Sequence, residues 1–430
     1  MQLKRPIGRS LATATCGLLG ALPATTVIAQ EAGDWEFDTS LLYYGEDDDR
    51  VTDASLIASA RRAFDEDRSL DLNLTVDVLT GATPAGAVPA NTVQTFTQPS
   101  GKKTYDIAPG VTPLDDTFLD TRIAIAGTWQ QSLGDSMRWS AGISASDEYD
   151  YFHLGVNGRL ERDFNRKNTT AYVGLALAQD DINPVGGAPI PLAPMLGIDD
   201  LGSKLGDDSK DLIDVLVGVT QVLSRRSLLE VAYSYGGSDS YLNDPYKFLA
   251  VVDPITGVPV AGPTGSGVNL NLYESRPDSR AKQSLFAEWR HAFDRDSMAV
   301  SLRLMDDDWG VTSETLEARY RWNVSASAYF EPHFRYYSQE AADFYRTVLF
   351  AGEPLPQFAS ADSRLADLDA WTAGFKFGHR SDRGEYSLRL EYYRQEGNPS
   401  PGSEVGDLAA FDLVPPLTAI IVQFGYRFRL

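Results

Sequence analysis

The sequence is poor in cysteine. Its single thiol, Cys16, lies in the first thirty residues, so the rest of the chain forms no disulfide, thiolate metal site or covalent haem attachment. Positive charge is also short, with 38 Lys+Arg against 60 Asp+Glu and a formal net charge of −22. A nucleic-acid binder needs the opposite balance to neutralise phosphates. No stretch after the first thirty residues is apolar for the roughly 18 residues that a transmembrane helix requires. Histidine is limited to His153, His291, His333 and His379. The signatures H-E-x-x-H, G-x-S-x-G and the glycine-rich phosphate loop are absent. These gaps argue against an enzyme, and no cofactor is implied.

What is present starts with a leader. Lys4, Arg5 and Arg9 precede the uncharged stretch LATATCGLLGALPATTVIA, which ends on Val27-Ile28-Ala29. A positive start, a short apolar run and small residues at the cleavage positions define a secretory signal peptide. Pro23 and several threonines interrupt the run, against a membrane anchor, and Cys16 has no lipobox before it. The chain therefore divides into a signal peptide at 1–29 and one domain at 30–430. Without Lys4, Arg5 and Arg9 the basic count falls to 35 (38 − 3), and the formal charge becomes −25 (35 − 60). A secreted chain without helical spans can still enter a membrane as a closed barrel.

Period-two alternation runs from residue 35 onward. Leu70, Leu72, Leu74, Val76 and Val78 alternate with Asp71, Asn73, Thr75 and Asp77; Leu316, Ala318, Tyr320 and Trp322 alternate with Glu317, Arg319 and Arg321. Each is a strand with one apolar and one polar face. Strands are predicted to begin near residues 35, 51, 69, 118, 137, 149, 169, 211, 228, 280, 298, 312, 326, 368, 386 and 417. That makes about sixteen, most near the ten residues that cross a bilayer at a tilt. Connections after even-numbered strands are short and charged. The long ones, 80–116, 179–210, 236–278, 339–364 and 395–416, all follow odd-numbered strands. A sandwich has no reason to sort its loops this way, whereas an outer-membrane barrel has short periplasmic turns and long outer loops. Trp129, Trp139, Trp289, Trp322 and Trp371 fall near predicted strand ends, where interface girdles sit. The fold class is all-β: an antiparallel up-and-down transmembrane barrel of about sixteen strands, in the outer membrane of a Gram-negative bacterium.

The polar face carries charges of both signs: Glu317, Arg319 and Arg321; Glu331, His333 and Arg335; then Lys376, Arg389 and Glu391. Charges inside a barrel must be paired or wet. They form either a network that narrows the lumen or the wall of a selective channel. His333 beside Glu331 could serve as a base. A short echo recurs as Asp120-Thr121-Arg122, Asp278-Ser279-Arg280 and Asp362-Ser363-Arg364. Residues two apart share a strand face, so Asp and Arg are expected to pair along the wall as a charged ring, or as loop anchors, near the outer mouth. The acidic run at Asp47, Asp48 and Asp49 offers carboxylates for Ca²⁺, although no fixed-spacing calcium loop is present and a solvated loop facing lipopolysaccharide serves as well.

Several segments together carry a family resemblance: LTVDVLTGATPAGA (74–87), LDTRIAIAGTW (119–129), NDPYKFLAVVD (243–253), YESRPDSRAKQSLF (273–286), DDDWGVTSETLEARYRW (306–322) and RYYSQEAADFY (335–345). They resemble a bacterial family known as a domain of unknown function and regarded as outer-membrane barrels. The resemblance implies a secreted barrel often encoded near a thioredoxin-like protein, a small lipoprotein and a flavin transferase, and so a periplasmic or lipoprotein redox partner. Gly81, Pro84 and Gly86 are expected to form a tight turn that opens an outer loop.

The last residues, VQFGYRFRL, place Val422, Phe424, Tyr426, Phe428 and Leu430 opposite Gln423, Gly425, Arg427 and Arg429. Gln423, Gly425, Phe428 and Leu430 resemble the terminal signal read by the barrel assembly machinery, with Leu430 where Phe is commonest. The aromatics are expected to face lipid and Arg427 and Arg429 the lumen, with this strand closing against the one that begins near Trp35. The leading functional reading is a channel or porin-like conduit for a polar solute. The second is an occluded barrel that scaffolds an extracytoplasmic redox or export system, and the third an outer-membrane hydrolase.

Overall fold

The computed structural model describes residues 33–47, 50–81, 84–97, 104–114, 119–195, 202–262 and 269–430. The predicted signal peptide lies outside these residues. The first strands are β1 (Trp35–Glu46), β2 (Val51–Ala63) and β3 (Arg68–Gly81), followed by a small hairpin of β4 (Gln94–Thr97) and β5 (Thr104–Ile107). Next come β6 (Leu119–Ser132), β7 (Met137–Asp147), β8 (Tyr151–Phe164), β9 (Thr169–Ile182), β10 (Asp208–Ser224) and β11 (Ser227–Ser240). Two short strands, β12 (Phe248–Val252) and β13 (Asn271–Tyr273), precede β14 (Ser279–Ala292), β15 (Ser297–Asp307), β16 (Thr312–Asn323) and β17 (Ala328–Gln339). The short β18 (Val348–Phe350) precedes β19 (Leu368–Ser381), β20 (Gly384–Gly397) and β21 (Leu417–Arg429).

Sixteen of these strands close into one antiparallel barrel, in the order β1-β2-β3-β6-β7-β8-β9-β10-β11-β14-β15-β16-β17-β19-β20-β21. Every barrel strand begins within three residues of its predicted start. The ring shuts between β1 and β21, whose register runs from Glu36↔Arg429 to Glu46↔Ala419. Reciprocal backbone bonds between Trp35 and Leu430, both 2.9 Å, finish that ladder. A closed ring leaves no unpaired edge, the condition for spanning lipid with strands.

The two faces sort as their alternation dictates. Leu41, Ile125, Val156, Leu177, Val217, Leu302, Leu388 and Phe424 stand exposed on the outside. Around the short-turn end Trp35, Phe37, Phe428, Tyr426 and Tyr386 stack one on the next. Trp129 packs on Phe64, and Trp289 on His291, at the same level. This is the aromatic girdle expected where a barrel wall meets a membrane interface.

The well-packed apolar core lies in the long connections. β13, β12 and β18 form a three-stranded sheet, with β12 and β18 parallel from Ala250↔Val348 to Val252↔Phe350. All five residues of β12 are buried, and Leu249 and Val252 are 0 % exposed. Ala85, Ala87, Phe96, Met195, Phe248 and Tyr273 pack on one side, and Val88, Ala250, Val252, Val348 and Leu408 on another. Segments far apart in sequence thus fold into a cap across the outer mouth. Fully burying each large apolar side chain contributes roughly 1.5–3 kcal/mol, which holds the cap as a unit.

Candidate functional site: the capped lumen

The cap is fastened by a buried ionic cluster. Arg276 Nε lies 2.6 Å from Glu274 and its terminal nitrogen 2.8 Å from Asp362. Arg364 bridges Asp362 and Asp244, and Ser360 Oγ donates to Glu274 at 2.5 Å. Lys247 donates to the carbonyl of Pro84 at 2.5 Å. Asp244, Glu274 and Asp362 therefore face Lys247, Arg276 and Arg364, three charges of each sign. Burial alone would raise the Asp362 carboxyl, but Arg364, Lys247 and Arg276 outweigh it and hold it well below the usual carboxylate range. Burial pulls Lys247 below its ordinary value. A second tie joins cap to wall: the Tyr246 hydroxyl donates to Asp150, in the turn between β7 and β8. Burial pushes Asp150 up to about 6, in spite of that hydrogen bond and with Asp120 adding to the rise.

Between the cap and one side of the wall runs a chamber of about 640 Å³. Its lining descends from the outer rim, at Glu46, Arg50 and Leu417, to mid-strand, at His333, Glu391 and Ile421. Leu42, Val88, Val414 and Pro415 make its upper walls apolar; Arg335 and His333 make its floor polar. The cap contributes Gly86, Ala87, Tyr345 and Arg364. Gly86, with φ +109°, lets the chain pass against β12: an added Cβ would fall 1.7 Å from the Phe248 carbonyl oxygen. Gly81 turns out of β3 with φ +83°, while Gly86 is bonded into the cap, since Ala250 N donates to its carbonyl at 3.4 Å. The expected single tight turn is thus a Gly81 turn followed by a Gly86 docking point.

Below the chamber the predicted lumen residues form a belt. His333 places Nδ1 2.8 Å from Glu391 and Nε2 3.3 Å from Glu317. Arg319 pairs with Glu317 at 2.7 Å, Arg389 with Glu391 at 2.7 Å, and Arg321 with Glu331 at 2.8 Å. The reach from β17 to β20 depends on Gly374 of β19, which is in register with both His333 and Glu391. A Cβ there would lie 2.7 Å from Glu391 Cγ. Arg335 sits 5.5 Å from the ring centroid of Tyr337 and makes no ion pair among the described residues. Nearer the short-turn end Arg427 meets Asp38 at 2.6 Å and Arg429 meets Glu36 at 2.9 Å, all facing the lumen as expected.

The Asp-x-Arg echo is corrected by the geometry. Arg122 binds Asp77 through three hydrogen bonds of 2.9–3.1 Å, not Asp120. Arg280 binds Asp307, not Asp278. Asp362 and Arg364 do meet, but in a 3-10 turn (Ser363–Leu365) inside the cap. Residues two apart on a strand are separated by ~6.6 Å, whereas opposed residues on neighbouring strands approach to about 5 Å, and Asp77 is the register partner of Arg122. There is no charged ring of three repeats. Asp48 and Asp49 lie outside the described residues. Asp47 is engaged by the Thr418 backbone N–H at 3.2 Å, and the described residues hold no group of carboxylates or histidines placed to bind a metal.

Reading the sequence missed the cap cluster of Asp244, Lys247, Glu274 and Arg276. It also missed a buried wall cluster, in which Asp180 takes a hydrogen bond from Tyr151 and lies 3.0 Å from Lys210. The available signal for the first was a high density of charge inside NDPYK and YESRPDSR, within loops otherwise read as solvated.

The chain belongs to the family described as Protein of unknown function (DUF3570), whose model matches residues 8–428. No curated protein matches it in sequence. Among solved structures, CdiB from Acinetobacter baumannii is 9% identical with a TM-score of 0.45, over 92% of this chain and 61% of that one. OccK5 (OpdH) from Pseudomonas aeruginosa is 8% identical with a TM-score of 0.39, over 93% and 99% of the two chains. The chain spans about half the length of the siderophore receptor PirA from Acinetobacter baumannii: 9% identity, TM-score 0.38, 85% of this chain and 54% of that one.

Proposed function

We propose that this protein is a capped, selective conduit in the outer membrane, and that its chamber holds a small solute with an apolar body and an anionic group. The observation that carries the proposal is the continuity of the 640 Å³ chamber from rim to mid-lumen, alongside the cap. Apolar upper walls suit a hydrocarbon portion, and Arg335, a lumen cation without an ion-pair partner among the described residues, suits a carboxylate. The proposal includes an outer-membrane location in a Gram-negative bacterium, lipopolysaccharide around the outer rim and insertion by the barrel assembly machinery. It also allows a periplasmic or lipoprotein redox partner at the short-turn end.

Planar bilayers test it. The folded protein is expected to show small, infrequent conductance steps with anion preference, and Arg335→Glu to invert that preference. Silence from folded protein would overturn the conduit. It would favour the second reading, a closed scaffold, which the dense packing of β12 and the cap cluster also supports.

A further inference from the structure

Three side chains on adjacent strands of the opposite wall stand in a nucleophilic arrangement. Ser144 on β7, His153 on β8 and Asp180 on β9 all point into the lumen. His153 Nδ1 is 2.6 Å from Asp180 Oδ1, and His153 Nε2 is 3.4 Å from Ser144 Oγ. Asp180 is 0 % exposed and His153 7 %, while Ser144 is only half-buried. Lys210 and Tyr151 keep Asp180 an acceptor. An ionised carboxylate has no proton to give, so the Nδ1 contact puts the imidazole proton on Nδ1 and leaves the Nε2 lone pair facing the serine hydroxyl. Registers Ser146↔His153 and His153↔Asp180 set the imidazole between its two partners. Gly155, the register partner of Ser144, makes the approach possible. A Cβ there would lie 2.8 Å from Ser144 Oγ and 3.1 Å from His153 Nε2.

We propose that Ser144, His153 and Asp180 form a serine-hydrolase triad that cleaves a small, water-soluble carboxylic ester reaching it through the lumen. The face matters: all three side chains point away from lipid, so bilayer lipids are not the substrate class. Ser144 Oγ bonds to the ester carbonyl carbon as its proton passes to His153 Nε2. The Asn157 amide, which reaches over Gly142 beside Ser144 on the same wall, is the donor for the resulting oxyanion. Collapse breaks the acyl carbon–oxygen bond, and the leaving alkoxide takes the proton from His153 and departs as the alcohol. Water then attacks the acyl-serine and gives a proton to His153; the carboxylic acid leaves and Ser144 regains its proton. The sum is ester plus water to acid plus alcohol. Asp180 acts through His153 as a positioning residue.

The test uses the full folded barrel in detergent, with a fluorophosphonate probe and p-nitrophenyl acetate. Wild type is expected to take the probe at Ser144, located by mass spectrometry, and to hydrolyse the ester. Ser144→Ala, a small change on the lumen face, is expected to lose both while keeping the barrel. Gly155→Ala keeps the nucleophile but displaces it from His153; labelling should slow at least tenfold and its pH profile should flatten. Folded wild type that neither labels at Ser144 nor exceeds Ser144→Ala in hydrolysis would overturn the proposal, as would Gly155→Ala with wild-type rate and pH profile. A barrel silent in bilayers that still labels at Ser144 would sink the conduit and leave the triad standing.

Discussion

Removing Arg276 tests whether the ionic cluster holds the cap. Arg276 is buried against Glu274 and Asp362, at 2.6 and 2.8 Å. In Arg276→Met the stem survives and the charge does not, leaving three carboxylates to Lys247 and Arg364 in a dry site. Breaking a buried ion pair by removing one partner costs ~3–5 kcal/mol. Because the barrel ladders are separate from the cap, that cost falls on cap docking, and the open population should rise by a factor of roughly 150 to 5,000, at about 1.4 kcal/mol per tenfold. Hydrogen exchange at the amides of Phe248–Val252 is the direct readout, since those strands exchange when the cap leaves. Wall amides of β8 and β10 should stay protected. Adding Glu274→Gln restores two charges of each sign and should recover much of the loss. Unchanged β12 exchange in Arg276→Met, or equal loss in the double variant, would refute the view that charge balance fastens the cap.

Asp150 adds a pH dependence of known sign. Its folded value of about 6 stands above the ordinary 3.8, so the folded state holds the proton more tightly than the unfolded chain. The associated stability, roughly 3 kcal/mol, is fully present below pH 4 and lost as pH rises through 6; urea titrations at pH 4 and 7 should show it, and Asp150→Asn should flatten it. Gly86→Val places a Cβ against the Phe248 carbonyl at a φ that β-branched residues avoid; it should loosen β12, read as higher bilayer conductance, and wild-type currents would count against the cap as the barrier. The sixteen-strand closure predicts faster gel migration without boiling than after it, and identical mobility would argue against a closed ring.

Alternation made the wall readable because a barrel strand has one lipid face and one water face along its whole length, and a register error would invert both. Glu317, Arg319, Arg321, Glu331, His333, Arg335, Arg389 and Glu391 could be named as inward for that reason, although Glu385 of β20, which accepts from the Tyr329 hydroxyl, was missed. Their partners could not, because pairing runs across strands: Arg122 lies two residues from Asp120 but binds Asp77, 45 positions away. The cap was illegible for the same reason in stronger form. β12 is a short apolar run between glycine- and proline-rich stretches, and its parallel partner β18 lies about a hundred residues further on. Local pattern carries no information on such contacts; only the assembled barrel brings the loops together, and then their apolar segments bury one another.

Two interior glycines connect this legibility limit to chemistry. A glycine inside a strand pattern weakens the strand, since it has no side chain to pack and carries more chain entropy. In a lumen that loss clears a path. Gly374 lets His333 on β17 reach across β19 to Glu391 on β20. Gly155 leaves room for Ser144 on β7 to face His153 on β8. In each case the missing side chain pointed inward, and an inward histidine lies beside the vacated position. The signal was therefore in the sequence as a joint pattern, an inward glycine two residues from an inward histidine on the same strand or opposite one on the next. His153 and Gly155 satisfy the first form and His333 and Gly374 the second. Alternation tells which residues are inward, and register must be added before the pattern can be recognised.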